Sequence, residues 1–329
     1  MLFIKNIFWN GDQHRVRALW RLIGQIILLA LITLPVQSGL GFVAVMFRTS
    51  QVGIMLSPMT LLESPLVMTL LTLGIFLAIL TSVWLAGRLL DRRSFADFGL
   101  HMNRNWWTDF GFGLLLGACL MLLIFVIELV AGWVTVEGIL VTRNPDVPFL
   151  LAVLLPLLTF AAVGFYEELF SRGYQLRNMA EGLNWKAIGP RWAIVIATLL
   201  SSALFGLMHL GNPNASLISS LNISLAGAIL LAIGLLLTGE LAIPIGVHIT
   251  WNFFQGNVFG FPVSGGDFRS AAFINIQQGG PDVWTGGAFG PEAGLLGLGA
   301  IVLGGALTVL WVRWRYGNVG LRTALAEYR

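Results

Sequence analysis

Three long apolar stretches in the second half of the chain are interrupted by side chains that can exchange protons or donate hydrogen bonds. These side chains are Glu167, Glu168, Arg172, His209, His248 and Asn252. A carboxylate can take a proton from water, and imidazole or amide groups can stabilise the negative oxygen that forms when water attacks a carbonyl. The residue types therefore suit chemistry in which a carboxylate activates water, without a serine or cysteine nucleophile.

Helical spacing divides these side chains into pairs. Glu168 and Arg172 lie four residues apart, so they share one face of a helix, whereas Glu167 is rotated by about 100° from Glu168. His248 and Asn252 have the same spacing and present two polar groups to one point. Because two adjacent carboxylates cannot both ionise cheaply in a low dielectric, one of them is expected to have a raised pKa, which suits a general base.

Each feature also has an ordinary structural explanation. Glu168 and Arg172 can form an ion pair with no further role. A lone histidine such as His209 is more often a packing residue, and His248 and Asn252 can join two helices by a hydrogen bond. Since all of these explanations would have to hold together, we favour the hypothesis that the three groups converge inside a bundle.

The composition shows what kind of body must position these residues. Of the 329 residues 57% are hydrophobic and only 11% are charged, and the mean hydropathy is +0.82. A soluble globular chain carries about 25% charged residues, so a soluble fold is excluded. The single cysteine, Cys119, excludes an intrachain disulfide. The sequence pI near 9.4 does not indicate nucleic-acid binding, because basic cytoplasmic loops are expected of membrane proteins.

Apolar runs of about 20 residues, the length that spans a bilayer as a helix, recur along the chain. They predict eight spans, at about 22–47, 66–90, 108–135, 148–178, 192–210, 215–238, 241–259 and 290–312. The fold class is therefore an all-α, polytopic transmembrane helical bundle, with residues 1–329 as a single integral membrane domain. Glu128 is a lone acid in the third run, and we interpret it as a helix-end or interhelical contact. The first run is expected to be a retained helix rather than a signal peptide.

The positive charges indicate the orientation of the bundle. Sixteen of the 19 Lys and Arg residues lie before span one, between spans two and three, between spans four and five, or after span eight. Because cytoplasmic loops carry excess Lys and Arg, both termini are predicted to be cytoplasmic, which requires an even number of spans. The Gly- and Pro-rich connection at 256–289 is then an external loop, more simply a connector than a lid.

At the polar residues the chain resembles a known family, the CAAX prenyl endopeptidase and bacteriocin-processing (CPBP, or Abi) intramembrane proteases, bacterial type. That family shows a double Glu followed by three residues and Arg, then Phe-x-x-x-His, then His-x-x-x-Asn. Here the three motifs read Glu167-Glu168-x-x-x-Arg172, Phe205-x-x-x-His209 and His248-x-x-x-Asn252, in the family's order. The similarity covers roughly 155–260, and we expect a catalytic core at about 148–260.

The resemblance implies an endopeptidase that hydrolyses a peptide bond within the membrane. By similarity, Glu167 would activate water, His209 would help to hold it, and His248 with Asn252 would stabilise the oxyanion. Glu168 and Arg172 would support the geometry and charge of the site in the same way.

The resemblance leaves the metal question open, because family members are often described as metalloproteases. Glu167, His209 and His248 could supply three zinc ligands, with water in a fourth position. The chain has no His-Glu-x-x-His motif, and a Glu167 that bound metal would be less available as a base. A metal-free mechanism uses the same residues, so both forms stay open.

The depths of the motifs predict an unusual fourth helix. If span four began its membrane passage at Pro148, Glu167 would lie about 29 Å along it at 1.5 Å per residue, near the cytoplasmic end. His209 would lie about 26 Å along span five, towards the outside. The two residues can meet only if the fourth helix is long and tilted or bent, continues to about Met179, and carries Glu167 near mid-depth.

The expected partners are the lipid bilayer and a peptide or protein substrate, including prenylated CAAX-like ones, with no nucleic acid. The expected location is the bacterial plasma membrane. Two alternatives from other functional classes are a proton-coupled transporter or channel and a non-catalytic membrane scaffold or immunity protein.

Overall fold

The fold was analysed in a computed structural model that describes residues 7–52, 64–143 and 147–328. Long helices dominate these residues. They are α1 (Ala18–Val52), α2 (Pro65–Ala86), α3 (Arg104–Val130), α4 (Phe149–Leu183), α5 (Gly189–Met208), α6 (Leu217–Thr238), α7 (Ala242–Phe253) and α8 (Leu295–Tyr316). The predicted polytopic all-α membrane fold is confirmed.

Seven of these helices in the described part of the chain are long and apolar enough to cross a membrane. The exception is α7, which has 12 residues and continues into a five-residue π-helical turn, Phe254–Val258. The predicted seventh span, 241–259, is therefore a helix at the expected place, but its α-helical part is too short to cross a membrane alone. The third predicted span ran too far, since α3 ends at Val130 and an extended strand follows.

The fourth helix has the length that the motif depths required. It runs from Phe149 to Leu183, and Glu167 is the nineteenth of its 35 residues. Its α-helical turns give way to a π-helical segment over Leu169–Leu176, directly after the two glutamates. Single π-helical turns occur often at functional sites, because they change the direction of the side chains that follow. Here the segment carries Arg172.

One end of the bundle gathers the segments that carry most of the positive charge. A short hairpin before α1 pairs β1 (Trp9–Asn10) with β2 (Arg15–Val16). Arg15 and Arg93 both bind Glu181, and Asn184 Nδ2 donates to the Ala326 carbonyl at 2.9 Å. The N-terminal segment, the connections α2–α3 and α4–α5 and the C-terminal segment therefore meet at this basic end. The membrane side of this end stays a prediction from the charges.

The opposite end contains a two-stranded antiparallel sheet that the sequence did not predict. Its strands are β3 (Val134–Thr142), after α3, and β4 (Ala271–Gln278), in the α7–α8 connection. The predicted external loop 256–289 is therefore partly a strand. The α5–α6 turn also binds this connection, since Asn212 Nδ2 donates to the Ser264 carbonyl at 3.0 Å. We call this the sheet end.

Two glycines let α7 pack closely between α3 and α4. A Cβ atom at Gly117 of α3 would lie 2.5 Å from the Val247 carbonyl oxygen. A Cβ atom at Gly164 of α4 would lie 2.9 Å from the Ile249 backbone nitrogen. Small residues at helix crossings in membranes allow such backbone approach. The residue between these contacts, His248, is thereby held against the glutamates of α4.

Candidate active site

Glu168 is the central acceptor of the cluster. Its side chain is fully buried, and its Oε1 accepts hydrogen bonds from Arg172 Nη1 at 3.0 Å and from His248 Nδ1 at 2.8 Å. The predicted pair between Glu168 and Arg172 is therefore formed. Because Nδ1 of His248 donates to the carboxylate, its Nε2 is left to interact with other groups.

Arg172 fills a pocket that is built for a guanidinium group. Its side chain is buried and its Cζ lies 4.1 Å from the centre of the Phe205 ring. A Cβ atom at Gly227 would lie 2.6 Å from Nη2, so a larger residue there would displace the guanidinium. Nε and Nη2 have no hydrogen-bond partner among the described residues.

Glu167 points away from Glu168, as the helical rotation predicted. Its side chain is 23% exposed, and its Oε2 makes no hydrogen bond to any described residue. The nearest charged partner is His248, whose Nε2 lies 3.8 Å from Oε2, beyond hydrogen-bonding distance. The carboxyl group is therefore free to bind a water molecule or a substrate.

His209 ends α5 and offers one ring nitrogen to the site. Its Nδ1 lies 2.7 Å from the Phe205 carbonyl oxygen, which can only accept, so Nδ1 carries the proton. Its Nε2 is then the acceptor. The Phe205 ring packs against both histidines, with centroid distances of 4.7 Å to His209 and 6.3 Å to His248. The Phe of the second motif thus positions the two imidazoles.

Four of the predicted site residues border one cavity of about 260 Å³: Glu167, His209, His248 and Asn252. We call this the catalytic cavity. Asn252 lies one turn after His248, and its amide makes no hydrogen bond to the described residues. The two supporting residues, Glu168 and Arg172, lie behind the cavity wall. The structure therefore brings the three motifs together at one place.

The fit of a metal ion was tested on the ligand set that the sequence suggested. Among residues 7–52, 64–143 and 147–328, no three His, Cys, Asp or Glu side chains are grouped closely enough to hold a metal ion. Glu167, His209 and His248 share the catalytic cavity but do not form such a group. The arrangement therefore does not fit a preformed three-ligand zinc site.

The sequence analysis missed Glu292, which lies just before α8. Its buried carboxylate accepts hydrogen bonds from the Ser264 backbone nitrogen at 3.2 Å and the Ser264 hydroxyl at 3.3 Å. Burial raises the pKa of Glu292 to about 7. The hydrogen bonds from Gln255 and Ser264 lower the pKa, but their effect is smaller than that of burial. Glu292 borders a second cavity of about 40 Å³, which His209, His248 and Asn252 also border. A signal existed, since Glu292 is the one acid in the apolar stretch 290–312.

Glu128 has the structural role that was predicted for it. It is buried at the end of α3, and its Oε2 accepts a hydrogen bond from Gln278 Nε2 at 3.0 Å. It therefore joins α3 to β4, away from the catalytic cavity. The contact could not be named from the sequence because β4 was not predicted.

Comparison with known proteins gives one match. Residues 149–254 match the family model described as Rce1-like, type II CAAX prenyl endopeptidase Rce1-like. No curated protein and no solved structure gives a significant match. The matched segment runs from the start of α4 to the end of α7 and contains all six predicted site residues. The segment from α4 to α7 of this membrane protein is thus similar to the type II CAAX prenyl endopeptidases.

Proposed function

We propose that this protein is an intramembrane endopeptidase of the CPBP/CAAX type, in which Glu167 activates the attacking water. The observation that carries the proposal is the free carboxyl of Glu167 beside a cavity that it shares with His209, His248 and Asn252. The family match supports a peptidase, and the site geometry supports the choice of base. The catalytic core is then the part of the chain at about 148–260.

The proposed reaction consumes one water molecule. Glu167 takes a proton from water while the water oxygen attacks the peptide carbonyl carbon. His209 Nε2 accepts a hydrogen bond from the other O–H of the water, which orients the water and keeps its second hydrogen on the oxygen. The carbonyl π electrons move to oxygen and form a tetrahedral oxyanion. The C–N bond then breaks, and protonated Glu167 returns its proton to the leaving amine. The products are one new carboxylic acid and one new amine, which become a carboxylate and an ammonium group when the acid gives its proton to the amine.

The oxyanion needs donors that are in place before the reaction. The Asn252 amide borders the cavity and makes no hydrogen bond to a described residue, and His248 in its imidazolium form donates from Nε2. The Glu168 carboxylate at Nδ1 stabilises that imidazolium and fixes the orientation of the ring. Arg172 in turn balances the charge of Glu168. The supporting pair therefore acts through His248.

A metal-assisted form of the same reaction would use Glu167, His209 and His248 as ligands. It would require these side chains to move into a common ligand group. Counting bound zinc in the purified protein separates the two forms. We favour the metal-free form, because Glu167 then keeps the free carboxylate that a general base needs.

The test is cleavage of a library of membrane-proximal peptides, with and without a prenyl group, by protein purified in detergent. Wild type is expected to release fragments whose masses show addition of one water, and Glu167→Gln is expected to release none. The matched control is Glu137→Gln, which alters an exposed glutamate of β3 and should cleave like wild type. Equal cleavage by wild type and Glu167→Gln would reject the proposal.

A further inference from the structure

The catalytic cavity has walls of different character towards the two ends of the bundle. Towards the basic end, α4 continues from Glu168 through Leu169–Leu176, and nearly every residue of that segment is buried. Leu169, Tyr174 and Leu176 are wholly inaccessible. A peptide could not pass this packed layer without separating helices, so the cavity is closed on the basic side.

Towards the sheet end, the cavity continues into a larger space of about 680 Å³. The two share five lining residues: Met68, Thr159, Pro213, Gly266 and Phe268. The larger space reaches Pro65 at the start of α2 and Arg143 just after β3. These positions all belong to the sheet end or to the helix turns next to it. The two cavities therefore form one groove that leads from Glu167 to the sheet end.

The groove changes in polarity along its length. Beside Glu167 its walls are uncharged and include Thr72, Thr159, Phe160 and Phe268. Charged side chains stand at its outer rim, where Asp267 pairs with Arg143 and accepts a 2.8 Å hydrogen bond from Arg269 Nε. A charged substrate side chain next to the scissile bond would lose its hydration without gaining a partner.

We infer that the substrate is an extended, uncharged peptide segment on the non-cytoplasmic side of the membrane, and that it reaches Glu167 through this groove from the sheet end. The inference rests on the proposed function for the reaction. The side of the membrane from which the substrate enters is inferred from the direction of the groove and from the unequal distribution of positive charge between the two ends. Among the Lys and Arg residues that the structure describes, all but Arg48, Arg143, Arg172 and Arg269 lie in segments of the basic end, which marks that end as cytoplasmic.

The test uses single cysteines in a Cys119→Ser background, since Cys119 is the one native cysteine. Met68→Cys and Ser264→Cys place a thiol in the groove wall. Val283→Cys marks the sheet end at a residue that is 67% exposed, and Lys186→Cys marks the basic end at an exposed position. Each variant is treated with a charged, membrane-impermeant maleimide, in intact bacterial cells and in inverted membrane vesicles.

The groove cysteines are expected to react in intact cells together with Val283→Cys, while Lys186→Cys reacts only in inverted vesicles. The inference would be overturned if the groove cysteines reacted only in inverted vesicles, as Lys186→Cys is expected to do. It would also be overturned if they reacted in neither preparation. Val283→Cys reacting only in inverted vesicles would overturn the non-cytoplasmic assignment. Labelling requires no cleavage, so a failure here is distinct from the loss of activity that tests the proposed function.

Discussion

Helix α4 carries two carboxylate–arginine clusters, one half-way along it and one near its end, and they are built differently. In the end cluster, Glu181 Oε2 accepts from Arg15 at 2.7 Å and Arg21 at 3.0 Å, and Oε1 accepts from Arg93. In the middle cluster, Oε2 of Glu167 and Oε2 of Glu168 have no partner among the described residues. One cluster uses all its carboxylate oxygens, and the other leaves two free.

The end cluster has the properties of a structural network. Asp91 extends it, because Oδ1 accepts from Arg21 at 2.9 Å and Oδ2 accepts from the Tyr174 hydroxyl at 2.7 Å. The cluster joins four separate segments of the chain at the basic end. All four carboxylate oxygens of Glu181 and Asp91 have hydrogen-bond partners, which offsets part of the cost of burying their charge. The atoms of this cluster without a hydrogen-bond partner among the described residues are guanidinium nitrogens, Nη1 of Arg15 and Nε of Arg21 and Arg93.

The middle cluster keeps buried polar atoms unsatisfied, which costs stability. Each such atom in a folded protein needs an explanation, such as a catalytic role or a bound water. Here Glu167 borders a cavity that His209, His248 and Asn252 also border, and Glu168 lies behind the cavity wall. The structural acid of this helix and the proposed catalytic ones are all charged groups. They differ in whether every carboxylate oxygen accepts a hydrogen bond.

The largest effect is expected from His209→Ala, which removes the imidazole that orients the attacking water. Cleavage should be abolished, because the second hydrogen of the water loses its acceptor. The thermal unfolding temperature should stay near that of wild type, since the contacts of His209 are local. Cleavage assays and thermal unfolding in detergent measure both. Wild-type cleavage by this variant would remove His209 from the site.

Glu168→Ala should affect both stability and activity. The substitution leaves the Arg172 guanidinium buried without its partner, which costs about 3–5 kcal/mol of unfolding free energy. Cleavage should also slow, because His248 loses the acceptor at Nδ1. Thermal unfolding and the cleavage rate per folded molecule check the two parts. Arg172→Met in the same background should restore stability but not cleavage, and recovery of both would contradict the role of His248.

Asn252→Ala should slow cleavage without unfolding the protein. Loss of one oxyanion donor costs roughly 10²–10³ in rate. The Michaelis constant should change little, because the donor acts on the transition state. Steady-state kinetics separate the two constants. A variant with a raised Michaelis constant and an unchanged turnover number would show that Asn252 binds substrate instead.

The smallest effect is expected from Glu292→Gln, and it depends on pH. Burial raises the pKa of Glu292 to about 7, so the folded state binds a proton that the unfolded state releases above its ordinary value of 4.5. The bound proton stabilises the folded state at low pH. As the pH rises from 4.5 through 7, the free energy of unfolding therefore falls, by roughly 3 kcal/mol at most. Glu292→Gln should therefore unfold at a higher temperature than wild type at pH 8.

The advantage of Glu292→Gln should shrink as the pH falls to 5. Thermal unfolding of both proteins across this range is the measurement. An exposed acid gives the matched control, and Glu137→Gln should show no such trend. A constant difference between Glu292→Gln and wild type at all pH values would show that Glu292 does not titrate in this range.

Much of this molecule could be predicted from its sequence. The long apolar runs indicated the helices, and the four-residue spacings correctly paired Glu168 with Arg172. The depth conflict between Glu167 and His209 required a fourth helix longer than its apolar run, and α4 does extend to Leu183. These features depend on local periodicity or on a single geometric constraint, which a sequence records directly.

Other features depend on contacts between distant segments. Strand β4 was missed because its partner, β3, lies more than a hundred residues earlier in the chain. The partner of Glu128 was missed for the same reason. Glu292 stood alone in an apolar run, and only the packing of the α7–α8 connection brings it near His248 and Asn252. The sequence alone could not provide that juxtaposition.

The most direct test measures cleavage and thermal unfolding side by side for Glu167→Gln and Glu181→Gln, with bound zinc counted in both. Glu167→Gln should lose cleavage by at least about 10²-fold while its unfolding temperature stays at the wild-type value. Glu181→Gln should unfold at a lower temperature, yet cleave at the wild-type rate per folded molecule. Cleavage at the wild-type rate by Glu167→Gln would contradict the account.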